Sequence, residues 1–509
     1  MARRPPETEW RFMLNIRPRP WTTRNRREVH DLDHERSECE LDEDFRLGNL
    51  RYVRIENTLD ALVAWLDNNP SYNPCPVCVQ LPDYDNNIIE PDDQRVLLYV
   101  DRKRLIDLLF DMVAIPSPTF DESPLATYLA GVMAAMDLQV ELQPVEDAPG
   151  SGRRSQQPVG RWPGREDGPT ILLVSHMDHE PPAEGWDRPP FQGHAGRGWV
   201  YGCGVQDGKG GIATMIAAIL ALKNAGLSLQ GNVVLAPLVG HKRASRGMQT
   251  LLESGLRPDW TVDVQNTDLN IVNLAVGALP VRISTTAHPR PFRSTQGADS
   301  RPPDPVAQMA QIVQALGPSR VPIKPGGWLN FAPHAALPGF PQLNIDAIEG
   351  DSRRCWLDFH VRTVPGQDEE TMLNDLERLL NQVGAVEPGL NVTAQVPSPD
   401  GLTIPPLVGR EDTALVRTLR KWHKRLVRRR PIIGAGAFLG EVGDGHLAAQ
   451  ARIPTVLYGP GDRSIFEQWP TPNERIWIED MSVAAGTIAL TVRDLLGHEP
   501  SSARHAHSA

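Results

Sequence analysis

A chain of 509 residues exceeds what a single hydrophobic core normally serves, so two or three domains are expected. Hydrophobic residues make up 40% of it, enough for substantial cores, and a formal charge of −11 argues against a nucleic-acid partner. No run approaches the roughly 18 to 20 apolar residues of a membrane span, the first residues lack a signal-peptide core, and five scattered cysteines make no disulfide framework; a cytoplasmic protein with no membrane partner is expected.

Residues 1–48 read as a flexible Arg/Pro-rich arm, with Arg3, Arg4, Arg11, Arg17, Arg19, Arg24, Arg26 and Arg27 set among prolines and tryptophans. Residues 49–100 read as a small α/β extension: LRYVRI from Leu50 as a strand, Thr58 as the cap of LDALVAWLDNN, then CPVCVQLP and RVLLYV as strands. Cys75-x-x-Cys78 could be half a zinc site with His30, His34 or Cys39, or two ordinary buried thiols; with no second pair the thiols are favoured. From Arg102, RKRLIDLLFDMV and the segment after IPSPTFDES predict two amphipathic helices. Gln143 to Pro169, rich in Pro, Gly and Arg, predicts a mobile loop region with one weak strand.

Ile171 to Val174 then reads as a fully buried strand that delivers Ser175, His176, Met177 and Asp178 to its C-terminal end, where open α/β sheets keep their sites. Trp186, Pro190 and Phe191 follow, then Gly202-x-Gly204-x-x-Asp207-x-Lys209-Gly210, the helix IATMIAAILALKNAG and the strand GNVVLAPLV, which together predict a doubly wound βαβ arrangement. Residues 279–399 break that rhythm with strand, helix, two strands, helix and strand, the order of an inserted sheet with helices on one face. The chain returns through the basic TLRKWHKRLVRRRP, expected to be a solvated helix whose cationic end complements its dipole. The helix and strand of GDGHLAAQARIPTVLYGPG come next, and residues 499–509 read as a disordered tail.

From about Asp101 onward, and most specifically between His176 and Gly210, the sequence resembles the dinuclear zinc peptidase and deacylase family of aminoacylase, carboxypeptidase G, acetylornithine deacetylase and succinyl-diaminopimelate desuccinylase. The resemblance implies a mixed-sheet α/β catalytic-type domain made of residues 101–278 and 400–498. It also implies an α+β lid or dimerisation domain at 279–399, a homodimer, and a peptide-like or N-acyl amino acid ligand. In such a protein His176 would bind one zinc, Asp178 would orient it, and Asp207, followed by a cis bond to Gly208, would bridge both metals. Arg362 in HVRTVPG falls where the family holds a substrate carboxylate, a task suited to its planar fork; the alternative is a surface Arg closing a strand. His288 roughly matches a His that reaches the site from the inserted domain, although the surrounding HPRPFRSTQG departs from the pattern.

Four positions depart from the family's chemistry. Anchored on Ser245 and Gly247, the general base has become His241 and the neighbouring metal-binding Glu has become Lys242. Gln265 stands for the acid of a later turn, with Asp263 and Asp268 close enough to leave a register slip open, and Pro470 stands for the last ligand His while Asn473 and Glu474 are intact. Two dications need anionic neighbours, whereas this pattern removes three carboxylates, the base among them, and adds an ammonium. At about 4 Å, an effective dielectric near 20 still makes two positive charges repel by about 4 kcal/mol. The expectation is therefore a degenerate member with no cofactor, zinc being the alternative, that acts as a noncatalytic binding or regulatory relative. A repurposed enzyme using His241, Lys242 and Asp207, and an ordinary zinc hydrolase, are the other two readings.

Overall fold

The computed structural model describes residues 91–147, 151–165, 167–243, 245–287, 304–383, 390–397, 403–427, 431–435, 442–461 and 471–499, with short pieces at 12–15, 28–31, 50–52, 62, 65 and 73–74. Cys75, Cys78, His288 and Pro470 lie outside the described residues, as do most of the expected arm and all of the tail beyond Glu499. Within the stretch read as an arm, Phe12–Asn15 pairs antiparallel with both Glu28–Asp31 and Leu50–Tyr52, so those residues are strand.

Helix α1 (Pro91–Leu98) replaces the strand expected from RVLLYV. Pro91 in its first turn and the acids Asp92 and Asp93 beside it are helix-start signals, and they outweigh a short apolar run that periodicity alone cannot assign. Helix α2 (Arg102–Val113) is capped by Asp101, whose carboxylate accepts from the Lys103 and Arg104 amides, and α3 (Ser123–Ala134) follows after the expected break. The supposed loop region is instead a hairpin of two long strands, β1 (Gln139–Glu146) and β2 (Arg154–Trp162). Its polar residues misled the reading: Gln157 is fully buried, but its amide donates to Gly247 O and Gln143 Oε1 and accepts from Val239 N, so no polar atom is stranded.

Next come β3 (Thr170–His176), α4 (Gly210–Asn224), β4 (Asn232–Leu238), α5 (Arg246–Glu253), β5 (Trp260–Asp263) and β6 (Ile271–Val272). Helix α4 is buried on nearly every side, and Gly211 lets it lie against β5, since a Cβ there would stand 2.0 Å from Val264 O. The stretch Val205–Asn224 is long and apolar enough to cross a membrane, but 94% of its most apolar window is buried inside the protein, which makes it a core helix.

A second sheet holds β7 (Gly277–Ala287), β8 (Gln342–Gly350), β9 (Arg354–Thr363) and β10 (Leu390–Gln395) in the order β8-β9-β7-β10, all antiparallel. Its buried face, with Val281, Ile283, Leu357 and Phe359, packs on α6 (Pro305–Leu316) and α7 (Glu369–Gln382) as a separate core. The chain then forms α8 (Ala414–Val427), β11 (Ile433–Gly434), α9 (Gly445–Gln450), β12 (Thr455–Leu457) and α10 (Ile478–Leu496). Helix α8 is amphipathic rather than solvated all round, burying Leu415, Val416, Leu419 and Trp422 in the main core.

The main sheet has the order β11-β6-β12-β5-β3-β4-β2-β1. β12, β5, β3 and β4 run parallel, while β1 and β2 form an antiparallel edge. The C-terminal ends of β3, β4, β5 and β12 therefore open on one side of the sheet.

Candidate functional site

At that edge β3 delivers His176 and the turn after it delivers Asp178, both completely buried. The His176 ring lies between two acids: Nδ1 is 2.9 Å from Asp178 O and 3.3 Å from Asp178 Oδ1, and Nε2 is 3.1 Å from Asp207 Oδ1. Burial pushes the imidazole pKa down, but the Asp207 charge and the bonds to both acids outweigh it and hold the ring protonated well above its ordinary range.

Asp207 sits in the turn before α4. The cis peptide bonds among the described residues are Phe340–Pro341 and Val396–Pro397, so the cis bond implied at Asp207–Gly208 is absent and that bond is trans. Gly208 makes the turn at φ 105°, and a Cβ on it would lie 2.3 Å from His176 O. Glu474 fastens the same turn from the returning chain, accepting from the amides of Gly204 at 2.7 Å, Gln206 at 2.7 Å and Asp207 at 3.3 Å. Lys209, the motif's lysine, points away: its buried ammonium donates to Met112 O and Ile115 O at the C-terminus of α2.

Behind β4, residues His241–Arg243 form a single 3₁₀ turn. The Asp178 carboxylate grips it, accepting from His241 N at 3.2 Å and Lys242 N at 3.0 Å, with Thr119 Oγ1 donating at 3.0 Å. The turn aims two side chains at the first cluster. Lys242 Nζ donates to Asp207 Oδ2, and the His241 ring stacks on His176 with centroids 4.1 Å apart and planes 11° apart. Burial favours neutral Asp207, yet the charges of Lys242 and His176 keep its carboxyl well below the usual range.

The structure thus brings His176, Asp178, Asp207, His241 and Lys242 into one cluster. Arg362 stands at the end of β9 on the second sheet, its charge felt at the buried His446 of α9. Gln265 is 8% exposed just past β5, its Nε2 buried without a partner.

Of three acids around the cluster, Asp444 and Glu122 were not singled out as site residues in the sequence, and Asp263 entered only through the possible register slip at Gln265. Asp444 Oδ2 meets His241 Nδ1 at 3.0 Å across 203 residues of chain, a pairing no local pattern reveals. Asp263, fully buried on β5, accepts from Gly445 N at 2.8 Å. An acid in place of an apolar residue within a buried strand was its legible signal. Glu122 accepts from Gly240 N at 3.0 Å, next to the His241 turn.

Comparison with known proteins matches residues 172–494 to the model of Peptidase family M20/M25/M40. The chain is 24% identical over 349 residues to N-formyl-4-amino-5-aminomethyl-2-methylpyrimidine deformylase of Bacillus subtilis (strain 168), covering 64% of this chain and 79% of that protein. Among solved structures, the di-peptidase Dug1p from Saccharomyces cerevisiae has a TM-score of 0.63 at 16% identity, covering 79% of this chain and 98% of that one. The Bacillus subtilis YXEP protein, described as a dinuclear metal binding peptidase, has a TM-score of 0.54 at 16% identity, with 78% and 98% covered. At these identities the two structures speak for the fold.

Proposed function

The chain belongs to peptidase family M20/M25/M40, and from that premise we propose that it is a member whose dinuclear metal centre has been replaced by an ion pair. In this reading it binds a peptide-like or N-acyl amino acid ligand as a binding or regulatory relative of the family's hydrolases. The deformylase relative, whose name describes removal of an N-formyl group, is what lends support to an N-acyl ligand. The observation that carries the proposal is the contact of Lys242 Nζ with Asp207 Oδ2.

An ammonium at that oxygen neutralises the carboxylate that would join two metals and would repel a dication brought beside it. A unit charge alone would feel about 4 kcal/mol at 4 Å with an effective dielectric near 20, and a divalent ion about twice that. Gln265 offers a neutral amide where an anion is needed, and His241 turns to Asp444. The residues present do not fit a pair of dications. A homodimer, with residues 279–399 as lid or dimerisation domain, belongs to the same proposal.

The test is the metal content of protein purified without chelator, together with its melting temperature with and without added zinc. Zinc well below one per chain and an unmoved melting temperature are expected. Two zinc per chain would sink the proposal. A second reading, a metal-independent enzyme, is favoured by the His241–Asp444 contact, because a carboxylate on one imidazole nitrogen orients the other for proton transfer.

A further inference from the structure

The turn that follows β5 is held by its own hydrogen bonds. Within it, Thr267 N donates to Gln265 O at 2.9 Å, Asn270 N and Nδ2 donate to Thr267 O at 2.9 and 3.0 Å, and Thr267 Oγ1 donates to Asn270 O at 2.7 Å. The returning chain locks it from outside, with Gly459 N donating to Thr267 Oγ1 at 3.1 Å and Leu269 N to Gly459 O at 3.0 Å. Gly459 and Gly461 lie close against it: a Cβ on the first would stand 2.4 Å from Gln265 O, and one on the second 2.6 Å from Asn266 Cβ. Asp268 and Leu269 complete the turn at left-handed φ angles of 54° and 59°, which residues other than glycine keep only where the surroundings enforce them.

Two donors in this turn are left over. Gln265 is 8% exposed and Asn266 4%, yet Gln265 Nε2 and Asn266 Nδ2 are buried with no hydrogen-bond partner. The large majority of buried polar side-chain atoms are paired, and an unpaired one destabilises the fold. The strand register sets these amides at the site. Asp263 on β5 is level with Val174 on β3, and Val264 N donates to Val174 O at 2.7 Å, so Gln265 stands beside His176 at the open end of the sheet. The charges there are already answered, His176 and Lys242 meeting Asp178 and Asp207. An entering carboxylate would face those acids and the buried carboxyl of Asp263, whereas a neutral carbonyl oxygen, with two lone pairs for two donors, would not.

We propose that Gln265 and Asn266 form a neutral amide clamp that binds the acyl oxygen of the ligand, selecting its N-acyl end over its carboxylate end. The proposal rests on the reading of the site as a metal-free binder of N-acyl compounds and deepens it. Because the turn is already fixed by its own bonds and by Gly459, the clamp is ordered before the ligand arrives, and binding loses little entropy there.

The test uses the full chain with ¹⁵N-labelled glutamine side chains, kept in EDTA and titrated with N-acetylglycine, the Gln265 amide signal being identified by its loss in Gln265→Met. That signal should shift saturably as N-acetylglycine binds, and N-thioacetylglycine, whose sulfur is a poorer acceptor, should bind several-fold more weakly. Gln265→Met should bind N-acetylglycine about tenfold more weakly than wild type. It should nevertheless melt no lower, since it removes a buried group that has no partner in the free protein, whereas loss of a structural glutamine would lower the melting temperature. A Gln265 signal that stays still while calorimetry records N-acetylglycine binding, or a Gln265→Met variant that melts well below wild type, would overturn the clamp. The thioamide comparison needs no variant, and equal binding of the two probes would overturn it as well. N-acetylglycine that does not bind at all would overturn the N-acyl reading and the clamp with it, and failure of the metal-free reading would show separately, as zinc in the purified protein.

Discussion

Lys242 and Glu122 show two opposite effects of keeping ionisable groups of this site out of water. The Lys242 side chain is 21% exposed and that of Asp207 8%, so removing the ammonium leaves a carboxylate with little solvent to stabilise it. Breaking such a pair typically costs about 3–5 kcal/mol, and the partial exposure of Lys242 puts Lys242→Ala toward the lower end. Urea unfolding at an unchanged m-value should show that loss, and a variant as stable as the parent would refute the pairing. Glu122 works in the opposite sense. Burial, and then the Asp178 charge, push its carboxyl up to about 7 from 4.5. A raised pKa means that its contribution is fully present below about pH 4.5 and is lost as the pH rises through about 7, on the order of 3 kcal/mol in all. Glu122→Gln should therefore flatten the fall in stability between about pH 4.5 and 7, measured against wild type by denaturant unfolding. A variant that keeps the full fall would mean that another group, not Glu122, produces it. His176, Asp178, Asp207, His241 and Lys242 were legible because each sits in a short ordered motif at a strand end. Asp444 was not, since its role depends on a partner 203 residues away.

Among the elements, α1 depends most visibly on a single side chain. Arg493 of α10 is buried and donates to Asp93 Oδ1 at 2.6 Å and to Asp494 Oδ1 at 2.7 and 3.0 Å, with its guanidinium 5.3 Å from the Trp422 ring centre. Asp93 is equally buried, so Arg493→Ala strands an acid as well as opening a gap, and a loss of about 3 kcal/mol or more is expected. Because the bond joins α1 to α10, hydrogen exchange across Pro91–Leu98 should accelerate many-fold in this variant. Unchanged protection there would show that Val96, buried in the main core, suffices to hold the helix. Helix α4 was legible because a long apolar run bounded by glycines has few other fates. The β1–β2 hairpin was hidden, since its inward-facing Gln157 is satisfied only by strands and turns far from it in sequence.

At the scale of the whole molecule, the departure into a second sheet and the return were readable from the change in element order. The meeting of the two passes was not, because it is set by pairings such as Thr261 with Thr455 and by Glu474 bridging to the Asp207 turn. That arrangement has a consequence for how the protein is made. A ribosome adding about 5–20 residues per second releases Asp444 roughly 10–40 s after His241, a gap set by the 203 residues between them. Throughout that wait β5 has β3 on one side and, on the other, an open edge that only β12 will cover. Asp263 also waits, for the amide of Gly445. The nascent chain therefore carries an unpaired parallel strand edge, the feature most prone to capture by another chain. Shielding that edge falls to whatever meets the nascent chain until Thr455–Leu457 emerges to pair with it.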